Sequence, residues 1–402
     1  MRLVVHDYSG HPGQVHLSRE LARRGHDVEH QYCASYVTGR GATDKRVDDP
    51  DTLVVRPIAL GKKFARYSPL LRVQQELQYS RAAYRVISAA KPDLVVLSNV
   101  PLLALFLLTL ALNIRRLPYV FWQQDVYSEA IRVVARKRLR LAGPIVGWVA
   151  SRAERRVARR SGAVVAISDA FTSQLATWRV DKGRIHVIPN WAAIDEMPLR
   201  PRDNAWAQAH NLVGVPVAMY AGTLGLKHDP STLLRLAEDA PAGARVVVVS
   251  QGLGREWLES RAQDVPSLLL LDYQPYEQLP DMLASADVLI ALLERDASRY
   301  SVPSKVLNYL CAGRPILASL SADNAVALMI ESAAAGVVVP PGDHTIASRE
   351  VNRLLSDSSK CSELGDAARD YAEKTFDVHA VGDHFEAVFA QVVGSRSGVH
   401  SC

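Results

Sequence analysis

Val302-Pro303-Ser304-Lys305-Val306-Leu307-Asn308-Tyr309-Leu310-Cys311-Ala312-Gly313-Arg314-Pro315-Ile316-Leu317-Ala318-Ser319 reads as a loop, a helix that stops at Gly313, and a turn into a short apolar strand. Ser304 is placed to cap the helix, whose first-turn N–H groups form a ready anion site. Lys305 adds a positive charge at the helix end that normally favours a negative one. The pairing therefore calls for an external anion such as a diphosphate. Taken alone, the Ser-Lys pair better fits an ordinary capped helix with a solvated lysine.

Outward from this stretch, β-rich runs alternate with helical ones along the chain, the pattern of parallel sheets flanked by helices. Strands are predicted at 3–6, 28–32, 53–57, 94–98, 119–122, 164–168 and 186–188. A Pro-, Asp- and Asn-rich linker follows over 189–216. Further strands are predicted at 217–221, 245–250, 268–271, 288–292, 316–318 and 336–339. The expected fold class is α/β, with two doubly wound units over 1–193 and 194–377 and a last helix near 378–393. Such sheets bind ligands at the carboxyl ends of their strands, so the facing edges of the two units are expected to form the site.

Composition narrows the function classes. A chain of 402 residues with 48% hydrophobic and 22% charged residues suits two globular domains. Its four cysteines show no CxxC spacing, which argues against structural zinc or a disulfide scaffold and for a reducing compartment. No signal peptide is expected at the start. The longest apolar run, residues 100–112, is short of the roughly 20 residues that span a bilayer and reads as a buried helix. Charge is uneven: Arg132, Arg136, Lys137, Arg138, Arg140, Arg152, Arg155, Arg156, Arg159 and Arg160 face a lone acid, Glu154, with apolar residues interleaved. Segment 132–160 suits an anionic membrane surface better than nucleic acid, since no nucleic-acid motif accompanies it. A merely solvated helix face is the bland alternative.

Four further places carry chemistry. After the first strand, Gly10 and Gly13 allow close backbone approach at a helix N-terminus, without forming the dinucleotide fingerprint G-x-G-x-x-G. Asp125 and Glu129 lie just past the strand at 119–122, where Asp125 is either an active-site carboxylate or a helix cap. Gly222 and Gly225 open a loop in which Lys227 can neutralise a phosphate. Gly252 and Gly254 follow the strand at 245–250. Asp49-Pro50-Asp51 resembles a metal-binding DxD but reads as a surface turn, and no metal or other cofactor is predicted.

The stretch at 303–318 resembles the PSK…YLAAGRP(I/V)LA signature of the donor domain in family 4 glycosyltransferases, which have the GT-B fold of two Rossmann-like domains. Residues 11–28 are similar to the first loop and helix of that family, whose glycine-rich loop faces acceptor and donor phosphate. That implies donor contacts from Gly10 and Gly13 and acceptor contacts from His11 and Gln14. Residues 122–130 resemble its (W/V)xQDLYPEA segment, which implies acceptor contacts from Gln124 and Glu129 and a catalytic role for Asp125. Many relatives carry a histidine where Gln123 and Gln124 stand. Residues 220–228 match the Y(V/A)GxLGxxKG pattern, with Thr223 in place of the commoner arginine, leaving Lys227 and Lys305 as the principal cations. Tyr273, after the strand at 268–271, falls in the segment that reads the nucleotide base. Residues 188–195 resemble the hinge signature (I/V)PN(W/G)xD, which places Asn190 near the donor and gives Asp195 a capping role. The family's two glutamates, eight positions apart, correspond to Tyr300 and Asn308, with Glu294 upstream as a substitute carboxylate.

The resemblance implies transfer of a sugar from a nucleotide-diphosphate donor, uridine favoured, to a polyprenyl-diphosphate-linked or glycan acceptor. It also implies retention, and a last helix that returns to the N-terminal domain. A cytoplasmic place on the inner membrane face, in bacterial surface-polysaccharide synthesis, follows from the same resemblance. A nucleotide-sugar 2-epimerase and a catalytically silent nucleotide-sugar-binding partner are the alternatives, the latter motivated by Thr223 and Asn308.

Overall fold

The computed structural model describes residues 1–36, 40–61, 69–139, 141–225, 227–297 and 301–397. Leu226, Tyr300, Arg140 and the last five residues of the tail lie outside the described residues, as do the side chains of Lys137 and Arg138. The chain divides into two compact units, Met1–Asn190 with Val378–Cys402, and Trp191–Asp377.

The first unit is built on β1 (Arg2–Asp7), β2 (Asp27–Cys33), β3 (Leu53–Ile58), β4 (Leu94–Ser98), β5 (Tyr119–Gln123), β6 (Ala163–Ala166) and β7 (Ile185–Val187). They form one parallel sheet in the order β3-β2-β1-β4-β5-β6-β7. The second unit carries β8 (Val217–Ala221), β9 (Arg245–Val249), β10 (Leu268–Leu271), β11 (Val288–Leu292), β12 (Ile316–Ser319) and β13 (Gly336–Val339), parallel in the order β10-β9-β8-β11-β12-β13. Every strand read from the sequence is present, within two residues at either end. Central strands β4, β8 and β11 are buried along their whole length, which explains why they read as unbroken apolar runs. Strand order reverses between β1 and β4 in one unit and between β8 and β11 in the other. The loops leaving those strands line each crevice.

The last helix, Val378–Ser397, belongs to the first unit for physical reasons. Phe385 meets Trp122 edge-on at 4.8 Å. The Arg24 guanidinium donates to Asp383, Glu386 and the His379 carbonyl at 2.6–2.7 Å. A Cβ on Gly162 would sit 2.4 Å from a methyl of Val392, so this approach requires glycine.

Three readings are corrected. Asp49 is no surface turn: its buried carboxylate accepts from Arg19 Nε at 2.8 Å and from the Arg46 N–H at 2.8 Å. Arg19 lies on the inner face of helix Pro12–Arg23 and also donates to the carbonyls of Ala42 and Asp44, so an ion pair pins loop 40–51 to the helix. Asp195 lies inside the one-turn helix Ile194–Glu196 rather than capping it. The stretch over 189–216 is not a bare linker. Asn204 caps helix Ala205–Ala209, which buries Trp206, and donates to the Asp281 carbonyl at 2.8 Å. Among the described residues, no helix is long and apolar enough to cross a membrane.

Candidate functional site

In the second unit, the loops after β8 and β11 meet at the crevice. Tyr309, on helix Lys305–Cys311, fixes them there. Its hydroxyl accepts from the Ala221 N–H at 3.0 Å and donates to the Ala221 carbonyl at 3.1 Å, with the Ile290 carbonyl 3.3 Å away. Gly222 then turns the chain at φ +137°, a conformation open to glycine. Space matters as much as torsion. A Cβ on Gly222 would lie 3.0 Å from Lys305 Cε and 3.1 Å from Nζ. The lysine therefore lies along a bare backbone, with its ammonium 3.5 Å from the centroid of the Tyr220 ring.

That ammonium is buried and has no hydrogen-bond partner among the described residues. Burial depresses its pKa well below the usual lysine range. The neighbouring His228 ring is also held well below the ordinary histidine value, first by burial and then by the charges of Lys305 and Lys227. Lys227 donates to Ser301 Oγ at 2.9 Å, and its carbonyl accepts from the Glu294 N–H at 2.9 Å. Two lysines and a histidine thus converge where the sheet order reverses, an arrangement that repels cations and suits a polyanion.

The other donor-side residues lie around this cluster. Thr223 Oγ1 bonds to the Tyr273 hydroxyl, and the Thr223 carbonyl accepts from the Tyr220 hydroxyl at 2.8 Å. Gly252 leads helix Leu253–Glu259 with φ +113°. Asn308 is half-buried one turn beyond Lys305. Ser304 departs from expectation: its backbone is already helical, and its side chain makes no capping bond to the helix. A serine in αR geometry cannot aim its oxygen at the first-turn N–H groups, so it leads into the helix without capping it.

In the first unit, the loop after β1 is organised by a residue the sequence reading passed over. Buried Asp7 accepts from the His11 N–H, from the Ser9 N–H and hydroxyl, and from Asn99 Nδ2 at 2.7 Å. Asn99 reaches it from the β4 loop with φ +56°. Burial raises the Asp7 pKa to about 6, against the pull of these donors. Gly10 adopts φ +68° in this loop, and Gly13 is buried in the first helical turn. Burial lowers the His11 pKa to about 4, and Gln14 donates to Ser98 Oγ at 3.2 Å.

After β5, Gln124 and Asn190 exchange reciprocal amide bonds of 3.2 and 2.7 Å. Asp125 is half-buried and does not cap helix Tyr127–Arg138, whose N-cap position is Val126. The cap comes from a distant residue. Glu154, fully buried on helix Gly143–Arg160, accepts from the N–H groups of Tyr127 at 3.0 Å and Ser128 at 2.7 Å. Burial raises its pKa to about 7, while these donors and Ser128 hold it down. Its solitude in an arginine-rich run was the only sequence signal. Glu129 pairs with Arg132 on the helix surface. Among the described residues, no three His, Cys, Asp or Glu side chains could hold a metal ion.

Comparison with known proteins agrees with both units. Residues 12–191 match the glycosyl transferase 4-like domain, and residues 203–371 match the glycosyl transferases group 1 family. The alpha-D-kanosaminyltransferase of Streptomyces kanamyceticus is 21% identical over 63% of this chain and 65% of its own. A colanic acid biosynthesis glycosyl transferase of Escherichia coli, WcaI, is 25% identical over 47% of each chain. The matched region thus spans about two thirds and about half of these relatives' own lengths. Anabaena HepE, solved in complex with UDP and glucose, superposes with a TM-score of 0.70 at 15% identity, covering 97% of this chain and 99% of that one.

Proposed function

The chain belongs to family 4 of the GT-B glycosyltransferases, and we propose that it moves a sugar from a nucleotide-diphosphate donor, UDP favoured over GDP, to a lipid-linked or glycan acceptor. One observation carries this reading: the buried Lys305 ammonium, against Gly222 and over Tyr220, has no counter-charge of its own among the described residues. A diphosphate supplies that charge. Lys305, Lys227 and the backbone of the 222–225 loop would hold it and stabilise the charge that develops as the bond from sugar to phosphate breaks. Asn308 would bond ribose or sugar hydroxyls, and Ser304 and Gly252 would line the donor. The Thr223–Tyr273 pair would face the base.

On the acceptor side, His11, Gln14, Gln124 and Glu129 would contact the incoming hydroxyl compound, with Gly10, Gly13 and Asn190 near the donor phosphate. Asp125 would orient the reacting hydroxyl and take its proton. The low pKa of His11 keeps its ring neutral near pH 7, so it acts there as a hydrogen-bonding group and not as a cation. Retention at the anomeric carbon, no metal, and a place on the inner membrane face in surface-polysaccharide synthesis complete the reading. The colanic acid biosynthesis role of WcaI supports the polysaccharide part of this reading, and the UDP bound to HepE supports its donor part.

Thermal shift of the whole chain with UDP, GDP, CDP and NAD tests the donor assignment. A ligand at 100 times its Kd adds about 2.7 kcal/mol, a shift of several degrees for units of this size. Stabilisation by one nucleoside diphosphate is expected. Response to NAD alone, or to none of the four, refutes the reading.

A further inference from the structure

Trp206 falls in the stretch that reads from the sequence as a linker, yet it is buried. A buried indole needs an acceptor for its N–H. Trp206 Nε1 donates to Gln274 Oε1 at 3.2 Å, 68 positions along the chain. The indole is itself held from two sides. Asn204 accepts from the Trp206 backbone N–H at 2.9 Å and donates to the Asp281 carbonyl at 2.8 Å and to Ser285 Oγ at 3.1 Å. The His210 ring stacks on the indole at 4.0 Å, its Nδ1 donating to the Trp206 carbonyl at 2.8 Å.

Gln274 sits in the loop 272–275, which leaves the carboxyl end of β10. That strand is the edge of its sheet, so the loop has a neighbouring strand on one side only. Side-chain ties replace the missing neighbour. The Tyr273 hydroxyl meets Thr223 in the loop after β8. The Gln274 amide is engaged at both ends, Oε1 by Trp206 and Nε2 by the Asp272 carbonyl at 2.9 Å. Beyond Pro275 the chain makes the one-turn helix Tyr276–Gln278 and runs directly into helix Leu279–Ala284, which carries Asp281. The bonds therefore close a ring, from the loop through Asp281 and Asn204 to Trp206 and back to Gln274. Loss of the indole N–H opens that ring at the loop and leaves its other bonds in place. The N–H and carbonyl of Gln274 make no hydrogen bond among the described residues. With its side chain fully engaged, Gln274 offers a ligand one backbone donor and one backbone acceptor, the pair that the edge of a nucleobase can meet.

We infer that Trp206 is a positioning residue for the nucleobase of the donor, holding the loop 272–275 through Gln274 in the setting that reads the base. This deepens the proposed function and rests on its donor site. Packing alone would be served by any large apolar residue, whereas the indole N–H ties the loop. A loop ordered before binding spares the complex the cost of ordering it afterwards.

Titration of the whole chain with UDP and with millimolar inorganic pyrophosphate, which carries no base, tests the inference in Trp206→Phe and Gln274→Met. The two variants remove the same bond from opposite sides. Each is expected to weaken UDP roughly two- to tenfold, the worth of one neutral hydrogen bond, and to leave the response to pyrophosphate unchanged. The double variant should lose no more than Gln274→Met alone, because both substitutions act through one bond. Should Trp206→Phe fail to fold, Gln274→Met decides by itself, since it keeps the indole packed. Equal losses for UDP and pyrophosphate, additive losses in the double variant, or UDP affinity unchanged in Gln274→Met would each overturn the inference. Absence of UDP binding in the unmodified chain would instead sink the donor reading, so the two failures are distinguishable.

Discussion

Glu154→Gln offers a quantitative check on how the turn after Asp125 is held. Burial raises the Glu154 pKa from 4.5 to about 7 in the folded chain. The folded state therefore binds more protons than the unfolded state across that interval, and stability falls as pH rises through it. Fully developed, a shift of this size amounts to about 3 kcal/mol. The stabilisation is complete below the unfolded value and lost above the folded one. Glutamine mimics the protonated acid but keeps one acceptor for two N–H groups, a loss of about 1 kcal/mol that does not depend on pH. The variant should then be slightly less stable than wild type near pH 5 and more stable near pH 8, by roughly 2 kcal/mol or several degrees for a unit of this size. Thermal unfolding of both chains across that range reads the difference. Asp7, raised to about 6, and His6 and His30, lowered to about 4 and about 3, titrate in both chains and cancel. Parallel profiles for wild type and variant would refute the account of Glu154 as a buried, strained carboxylate.

Gly222→Ala should weaken UDP binding at least tenfold, because φ +137° strains alanine by about 1–3 kcal/mol and its Cβ crowds Lys305; a nucleotide titration unchanged by the substitution would contradict this. Asp49→Ala strands the buried Arg19 guanidinium and should cost about 3–5 kcal/mol in denaturant unfolding. Exposed Asp51→Ala should change stability by less than about 0.5 kcal/mol, and equal effects from the two would restore the surface-turn reading.

What the sequence disclosed follows from what its signals measure. Strands β4, β8 and β11 were legible because a parallel strand buried on both faces needs an unbroken apolar run. Lys227 and Lys305 stood out only through the longer segments around them, because a lone lysine at a helix start also fits a solvated surface. Asp7, Glu154 and Asp49 were not legible, since each is defined by partners 26 to 92 positions away or by burial that no local pattern encodes. Ser304 misled for the opposite reason: its residue type predicts a cap, but its backbone is already helical at φ −58° and ψ −21° and its side chain makes no capping bond.

Titration of UDP into the whole chain and into Lys305→Met tests the central claim, that this lysine waits for a diphosphate. The account predicts a loss of about 10- to 100-fold in affinity, the worth of a charge-assisted hydrogen bond of roughly 1.5–3 kcal/mol. Because burial depresses the Lys305 pKa in the free protein, wild-type affinity should also fall as pH rises through that depressed value. The free Met variant should be at least as stable as wild type, since it removes a buried, uncompensated cation. UDP affinity that is the same in both chains, or no UDP binding at all, would contradict the account.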